Sequence, residues 1–154
     1  MRSLVWFRRD LRVQDNSALF HAAKEASDGT VGVFLMTPGQ WKEHDDADLK
    51  IWFWLENLRI LSAELEKLNI PLVVANCESF KEVPRCLLRI AEKNGCDGLF
   101  FNREYEVNES LRDREVVRQF EKVGKVVSRF HDRIIVPPRE ISTKEGKFYS
   151  VFTP

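Results

Sequence analysis

Five short apolar segments recur along the chain, and a longer segment with helical periodicity separates each of them from the next. Polar and apolar residues do not alternate cleanly within these segments, which is typical of strands buried on both faces of a parallel sheet. The order β-α-β-α-β-α-β-α-β, with right-handed crossovers, predicts a Rossmann-like, doubly wound α/β fold. Its five-stranded parallel sheet would carry helices on both faces. The predicted strands are 3–7, 30–36, 71–75, 98–102 and 125–130.

Capping residues and apolar spacing predict four helices, which end near residues 27, 68, 94 and 123. A side-chain oxygen just before a helix accepts from the free N–H groups of the first turn, so such residues mark helix starts. The predicted starting residues are Asp15 or Asn16, Asp46 or Asp48, Ser79, and Asn108.

The composition is that of one folded domain. The chain has 154 residues, of which 44% are hydrophobic, and this excludes intrinsic disorder. Lys and Arg total 24, as do Asp and Glu, so the net charge of zero excludes a bulk electrostatic grip on nucleic acid. No apolar segment is long enough to span a membrane, and the N-terminal apolar run is too short for a secretory signal.

The three cysteines indicate neither a metal site nor a disulfide framework. Cys77, Cys86 and Cys96 form no CxxC pair and no zinc-ligand spacing. We expect reduced thiols in a cytoplasmic protein, because disulfides are rare in that compartment. No metal site is predicted.

The second predicted helix has more apolar surface than one sheet can cover. Residues 51–54 are four large apolar side chains in succession, which at about 100° per residue sweep most of the helix circumference. Trp52, Phe53 and Ile60 fall outside the face that we assign to the sheet. Either neighbouring loops cover them, or they form a surface for a second domain or a partner. The face assigned to the sheet comprises Ile51, Trp54, Leu55, Leu58, Leu61, Leu65 and Leu68.

The loop after the first strand lies where doubly wound folds bind ligands. A dinucleotide-binding site needs glycines there so that the backbone can approach a pyrophosphate, and this loop has none. It contains instead three arginines, Arg8, Arg9 and Arg12, interspersed with Asp10 and Asp15. Two interpretations stay open: an ion-paired turn in which the two aspartates hold the arginines, or an arginine fork that binds an anion.

Two further loops carry side chains suited to a planar ligand. Trp41 and His44 follow the second strand, and an indole beside an imidazole can form a wall for a flat heterocycle. Asn108 and Glu109 follow the fourth strand. They are either a helix cap with its first-turn acid, or a pair that reads the edge of a pterin or purine. The second interpretation uses a carboxylate that accepts two adjacent N–H groups and an amide that both donates and accepts.

Several segments occur in an order that identifies a family. The chain opens with LVWFRRDLR over residues 4–12, followed by Asp15-Asn16 and Ala18-Leu19, and this opening resembles DNA photolyases and cryptochromes. The later segments most resemble folate-type cyclobutane pyrimidine dimer photolyases. They are 37–41 (TPGQW), 105–109 (YEVNE) with Arg112-Asp113, 136–138 (VPP) and 149–154 (YSVFTP).

The resemblance implies a light-harvesting N-terminal α/β domain over residues 1–135. Residues 136–154 would begin the connection to an absent C-terminal helical domain that binds FAD. In folate-type members 5,10-methenyltetrahydrofolate serves as the antenna, in a cleft at the rim of the α/β domain, and we expect the isolated domain to bind it weakly or not at all. A deazaflavin antenna and the absence of an antenna stay open as alternatives. Asn108 and Glu109 are then the polar partners of the pterin ring, and Trp41 and His44 form the cleft wall.

The resemblance further implies that the parent protein is a deoxyribodipyrimidine photo-lyase. Such an enzyme uses light and reduced FAD to repair cyclobutane dimers in UV-damaged DNA. FAD, the DNA contact and the electron-transfer residues belong to the helical domain, so we expect no catalytic residue here and no activity from this chain alone. Three alternatives stay open: the antenna domain of a cryptochrome blue-light receptor, a free-standing Rossmann-like nucleotide-binding module, and an interaction domain without a ligand.

Overall fold

Five parallel strands form one sheet in the computed structural model, which describes residues 1–138 and 140–149. Their spatial order is β3-β2-β1-β4-β5, so the chain adds strands outward from β1 in both directions. This order reverses between β1 and β4, and such a reversal opens a crevice at the carboxyl ends of the strands. The predicted fold class is therefore confirmed. The strands are β1 (Ser3–Phe7), β2 (Thr30–Met36), β3 (Leu72–Asn76), β4 (Gly98–Asn102) and β5 (Val126–Phe130).

The helices include the four predicted ones and one short helix that was predicted as a loop. This extra helix, α2, begins at Pro38, whose fixed φ and missing N–H suit the first turn of a helix. It therefore converts the loop after β2 into a rigid platform. The helices are α1 (Ser17–Glu25), α2 (Pro38–Glu43), α3 (Asp48–Lys67), α4 (Val83–Lys93) and α5 (Val107–Lys122).

Two apolar clusters, one on each face of the sheet, form the core. Alternate residues of β1 point to opposite faces: Leu4 and Trp6 join one cluster, and Val5 and Phe7 join the other. The Trp6 face packs against α4 and α5, and the Phe7 face packs against α1 and α3. Helices on both faces explain why the strands read as continuous apolar runs.

Only the second half of α3 packs on the sheet. A helix of 20 residues is about 30 Å long, whereas strands of five to seven residues span about 17 to 23 Å. The first half of α3 therefore extends past the carboxyl edge of the sheet. The buried residues Leu58, Leu61 and Leu65 belong to the second half.

The assignment of faces on α3 was partly wrong. Leu55 and Leu68, which were predicted to face the sheet, are 42% and 51% exposed. Trp52, Phe53 and Ile60 are 61%, 60% and 49% exposed, so no loop within the described residues covers them. They form an apolar surface on the outside of the helix.

The described residues after β5, 131–138 and 140–149, form no helix or strand. The predicted division of the chain at residues 135 and 136 stays a prediction, and residues 139 and 150–154 of the connection lie outside the described residues. None of the helices in the described part of the chain has the length and apolarity needed to cross a membrane.

The three cysteines carry free thiols, as predicted. Burial raises the pKa of Cys77 to about 12, and it also raises the pKa of Cys96. Protonated thiols of this kind are poor nucleophiles at neutral pH, so neither residue is a candidate catalytic cysteine.

Candidate functional site

A cleft of about 280 Å³ lies at the carboxyl edge of the sheet. Residues that follow β1, β2, β3 and β4 line it, together with the projecting first half of α3. Open α/β sheets bind their ligands at this edge, where the strand order reverses. The position of the cleft therefore follows from the topology of the fold.

Aromatic side chains form the walls of the cleft. Trp41 of α2 and Trp54 of α3 are neighbours, with ring centroids 5.9 Å apart at an angle of 47°. The ammonium group of Lys50 lies 4.8 Å from the Trp54 ring centroid and also pairs with Asp46. Flat apolar walls of this kind suit a planar ligand. The aromatic residues that line the cleft are Trp6, Phe34, Trp41, Trp54 and Phe80.

Two arginines and two carboxylates form a buried cluster at the base of the cleft. Nη1 of Arg8 donates to both carboxylate oxygens of Asp113, at 2.9 and 3.0 Å. Nη2 of Arg112 donates to Glu104 at 2.7 Å and to Asp113 at 2.8 Å. Every one of these side chains is at most 8% exposed. The two positive and two negative charges cancel, and this pairing offsets the free-energy cost of removing the charges from water.

The Trp6 ring lies against both guanidinium groups of the cluster. The Cζ atoms of Arg8 and Arg112 lie 4.3 and 4.7 Å from its centroid. A ring face attracts cations, so Trp6 holds both arginines in place at the end of β1.

Glu104 is ionised at neutral pH although it is buried. Burial raises its pKa, but the guanidinium groups of Arg8, Arg112 and Arg9 outweigh burial and hold the pKa below its ordinary value. The carboxylate thus provides a fixed negative charge beneath the cleft.

Arg9 lies at the rim of the cleft among three carboxylates. Its Nη2 donates to Oε1 of Glu109 at 3.1 Å, its Nη1 to Glu106, and its Nε lies 3.5 Å from Oε1 of Glu104. Partial burial lowers the pKa of Arg9, and the three carboxylates more than compensate and raise it. Arg9 is therefore a permanent cation that links the buried cluster to the rim.

The loop after β1 is an ion-paired turn, but the predicted partners were wrong. The arginines pair with carboxylates that follow β4 and β5; Arg12, for example, donates to Asp132 at 2.6 Å. Asp10 instead accepts from the backbone N–H of Arg8 within the turn and from the side-chain amide of Asn102 at the end of β4. Since the arginines of this loop are already paired, the structure does not favour the free anion-binding fork.

Three of the four predicted site residues line the cleft. Trp41, His44 and Glu109 all contribute to its surface. His44 ends α2 and is exposed, and the Glu109 side chain is 12% exposed. Asn108 is exposed and is not among the lining residues of the described chain.

The prediction that Asn108 caps α5 was wrong. The helix starts two residues earlier: Glu106, in extended conformation, is the N-cap residue, and Asn108 is the second helical residue. Glu109 is the acidic residue of the first turn, as predicted. The ligand-binding roles of these two residues and of Trp41 and His44 stay predictions.

The sequence reasoning missed the buried cluster as a part of the site. A signal was present on α5, where Arg112 and Asp113 fall on the same helical face as Val116 and Phe120. Charged residues in an apolar stripe must be paired, because an unpaired buried charge is too costly. Their partners Arg8 and Glu104 follow β1 and β4, and the contact with Arg8, 105 positions from Asp113, could not be predicted from the local sequence.

Fold and cleft together define a doubly wound α/β ligand-binding domain whose site combines aromatic walls with fixed carboxylates. No group of three or more potential metal ligands is found among the described residues. The family model for DNA photolyase matches residues 3–154, and the chain belongs to the DNA photolyase family. The family comprises chromophore-binding flavoproteins.

Known proteins agree with this membership. The deoxyribodipyrimidine photo-lyase of Buchnera aphidicola from Acyrthosiphon pisum is 36% identical over 152 residues, which are 99% of this chain and 32% of that protein. The chain thus spans about a third of the length of such curated relatives.

Solved structures share the fold. A photolyase from Sulfolobus tokodaii, solved with two FAD molecules that are described as implying a novel light-harvesting cofactor, superposes with a TM-score of 0.78 at 27% identity, over 93% of this chain and 32% of that one. A cryptochrome from Synechocystis superposes with a TM-score of 0.75 at 22% identity, over 85% of this chain and 27% of that one, which shows a common fold alone.

Proposed function

We propose that this chain is the light-harvesting antenna domain of a DNA photolyase and that its cleft binds 5,10-methenyltetrahydrofolate. The observation that carries the proposal is the cleft at the carboxyl edge of the sheet, which Trp41, Trp54 and the carboxylate of Glu109 all line. Aromatic walls and a fixed carboxylate are what a planar, N–H-rich ring requires.

The carboxylate of Glu109 has the hydrogen-bonding capacity that a pterin ring requires. Oε1 of Glu109 accepts from Arg9, and no hydrogen bond to Oε2 is found among the described residues. A carboxylate in this state can accept from the adjacent ring N–H and amino groups of a pterin. Bound there, the folate would supply near-ultraviolet absorption and dipole-coupled energy transfer to a flavin.

The volume of the cleft fits the ring system of the ligand. Sites for small molecules usually measure about 300 to 1,000 Å³, and this cleft of about 280 Å³ lies just below that range, so it holds a ring system more readily than a whole folate. We place the ring against the tryptophans and let the remainder of the folate extend toward the opening beside His44.

Repair chemistry belongs to the longer protein in this proposal. Relatives about three times as long as this chain carry the name deoxyribodipyrimidine photo-lyase. We assign FAD and the UV-damaged DNA to a C-terminal helical domain of the longer protein, and we assign no catalytic residue to this chain. The free cysteines favour a reducing compartment such as the cytoplasm.

A photolyase is favoured over a cryptochrome. Relatives above 30% identity, which include that of Escherichia coli, carry the name photo-lyase, whereas the likeness to the cryptochrome is limited to the fold.

The test compares two carboxylates that pair with the same arginine. Glu109 lines the cleft, and Glu106 does not, although both contact Arg9. In the full-length protein titrated with methenyltetrahydrofolate, we expect Glu109→Gln to weaken binding about tenfold or more, since it removes a charge-assisted hydrogen bond. Glu106→Gln should raise the dissociation constant far less, because the amide oxygen of the new side chain still accepts from Arg9 and Glu104 still contacts Arg9. The intensity of the near-ultraviolet absorption band of the bound folate gives the dissociation constant of each variant.

Equal losses in the two variants would show that the effect runs through Arg9 and not through a contact between Glu109 and the ligand. Unchanged binding in Glu109→Gln would remove Glu109 from the site.

A further inference from the structure

We propose that Arg9 is a positioning residue for antenna binding, which fixes the Glu109 carboxylate so that one of its oxygens faces the ligand. This inference rests on the proposed function, since it concerns the same cleft. Arg9 does not contact the ring in this proposal; it acts through Glu109.

The contacts of Arg9 define the direction of the Glu109 side chain. Nη2 of Arg9 lies 3.1 Å from Oε1 of Glu109, and this bond ties one carboxylate oxygen to the loop after β1. With Oε1 held, the carboxylate keeps one orientation, and Oε2 is left for the ligand. A glutamate without such a partner would rotate among several rotamers and would lose that entropy on binding.

The buried carboxylate of Glu104 contacts Arg9 and holds its guanidinium group in place. Its Nε lies 3.5 Å from Oε1 of Glu104, whose side chain is 4% exposed. Glu104 in turn accepts from Nη2 of Arg112 at 2.7 Å. The buried cluster thus fixes Glu104, Glu104 fixes Arg9, and Arg9 fixes Glu109. The series connects β1, the segment after β4 and α5 at the edge of the cleft.

The geometry requires an arginine. Three nitrogens of one planar guanidinium meet three carboxylates, Glu104, Glu106 and Glu109, in different directions. A lysine ammonium is a point charge on a flexible stem and cannot hold three carboxylates in a fixed arrangement. We therefore expect Arg9→Lys to keep the charge and lose the orientation.

The experiment uses the full-length protein and methenyltetrahydrofolate as the probe. We expect Arg9→Gln to weaken folate binding about tenfold, as an unfixed carboxylate binds less well. The near-ultraviolet band of the folate that remains bound should shift toward that of free folate. Arg9→Lys should show the same band shift with a smaller loss of affinity. A purely structural role would change the melting temperature and leave the band position of bound folate as in the wild type.

Arg12→Gln is the matched control. Arg12 lies in the same loop and also makes an ion pair, with Asp132, but it is not among the residues that line the cleft. Its loss should leave the affinity and the band unchanged. Circular dichroism verifies that each variant is folded.

Different outcomes separate the inference from the proposed function. If the wild type binds folate and Arg9→Gln binds it equally well with the same band, the role of Arg9 is refuted and the antenna function stands. Equal losses in Arg9→Gln and Arg12→Gln would also refute it, because general disorder of the loop would then be the cause. A wild type that binds no folate would overturn both.

Discussion

Asp113 holds two guanidinium groups at a place from which water is nearly excluded. Arg8 and Arg112 both donate to it, and its side chain is 8% exposed. Removing Asp113 leaves two buried guanidinium groups with Glu104 as their one carboxylate in the cluster, so one positive charge is uncompensated. The residue therefore stabilises the base of the cleft through the partners that it neutralises.

We predict that Asp113→Asn lowers the free energy of unfolding by about 3 to 5 kcal/mol, as found when one partner of a buried ion pair is removed. Glu115→Gln is the control, because Glu115 lies on the same helix and pairs with the exposed Arg118 and the half-buried Gln119, outside the buried cluster. It should leave stability unchanged. Urea unfolding at neutral pH measures both, and equal stabilities of the two variants would contradict the prediction.

The role of a single residue could be predicted when its partners are close to it in sequence, and not when they are distant. Glu109 was predicted correctly as the acidic residue in the first turn of α5, because the start of the helix could be placed within two residues from the local sequence. The partners of Arg8 could not be predicted, because Asp113 lies 105 positions away. Only the folded sheet brings the ends of β1 and β4 together, so the arginines were read as free or as paired within their own loop.

At the scale of elements, the strands were predicted within one residue and the helix starts less well. Burial on both faces makes a parallel strand apolar throughout, and that signal is local. Helix starts here depend on tertiary contacts: α3 begins after Ala47 with no side-chain cap, and α5 after Glu106, whose carboxylate binds Arg9. Propensity for capping was therefore overridden at both positions.

The start of α1 is held by a residue from the far end of the chain. Oδ1 of Asp132 accepts from the backbone N–H of Ser17 at 2.9 Å, and Oδ2 accepts from Arg12. Burial raises the pKa of Asp132, but these hydrogen bonds outweigh it and lower the pKa below the ordinary value. A carboxyl with a lowered pKa stabilises the folded state above its ordinary pKa, and this stabilisation disappears as the pH falls through the folded value.

We predict that Asp132→Asn destabilises the protein by about 1 kcal/mol or more near pH 7, as the loss of a helix cap does. The difference from the wild type should shrink as the pH falls below the ordinary Asp pKa of about 4, because the unfolded chain then binds the proton more readily than the folded protein does. Urea unfolding at a series of pH values gives the difference directly. A difference that is constant down to pH 3 would show that Asp132 acts without its charge.

At the scale of the whole molecule, the cleft and the outer surface of α3 are both open in this chain. The volume of the cleft lies just below the usual range of ligand sites, and His44 at its edge is exposed. Trp52 and Phe53 expose more than half of their surface on the same helix that lines the cleft. Exposed apolar area of this kind typically marks a contact surface. The curated relatives are about three times as long as this chain, which is compatible with further protein beside the cleft.

We predict that the 154-residue chain alone binds methenyltetrahydrofolate at least tenfold more weakly than the full-length protein. Each 100 Å² of apolar ligand surface left in water forgoes about 2.5 kcal/mol, so a cleft that covers the ring and leaves the rest of the folate exposed loses affinity. Spectral titration of both proteins measures the two dissociation constants, and circular dichroism establishes that the isolated chain is folded. Equal constants would mean that the residues that line the cleft here already make up the whole site, and that protein outside this chain contributes nothing to antenna binding.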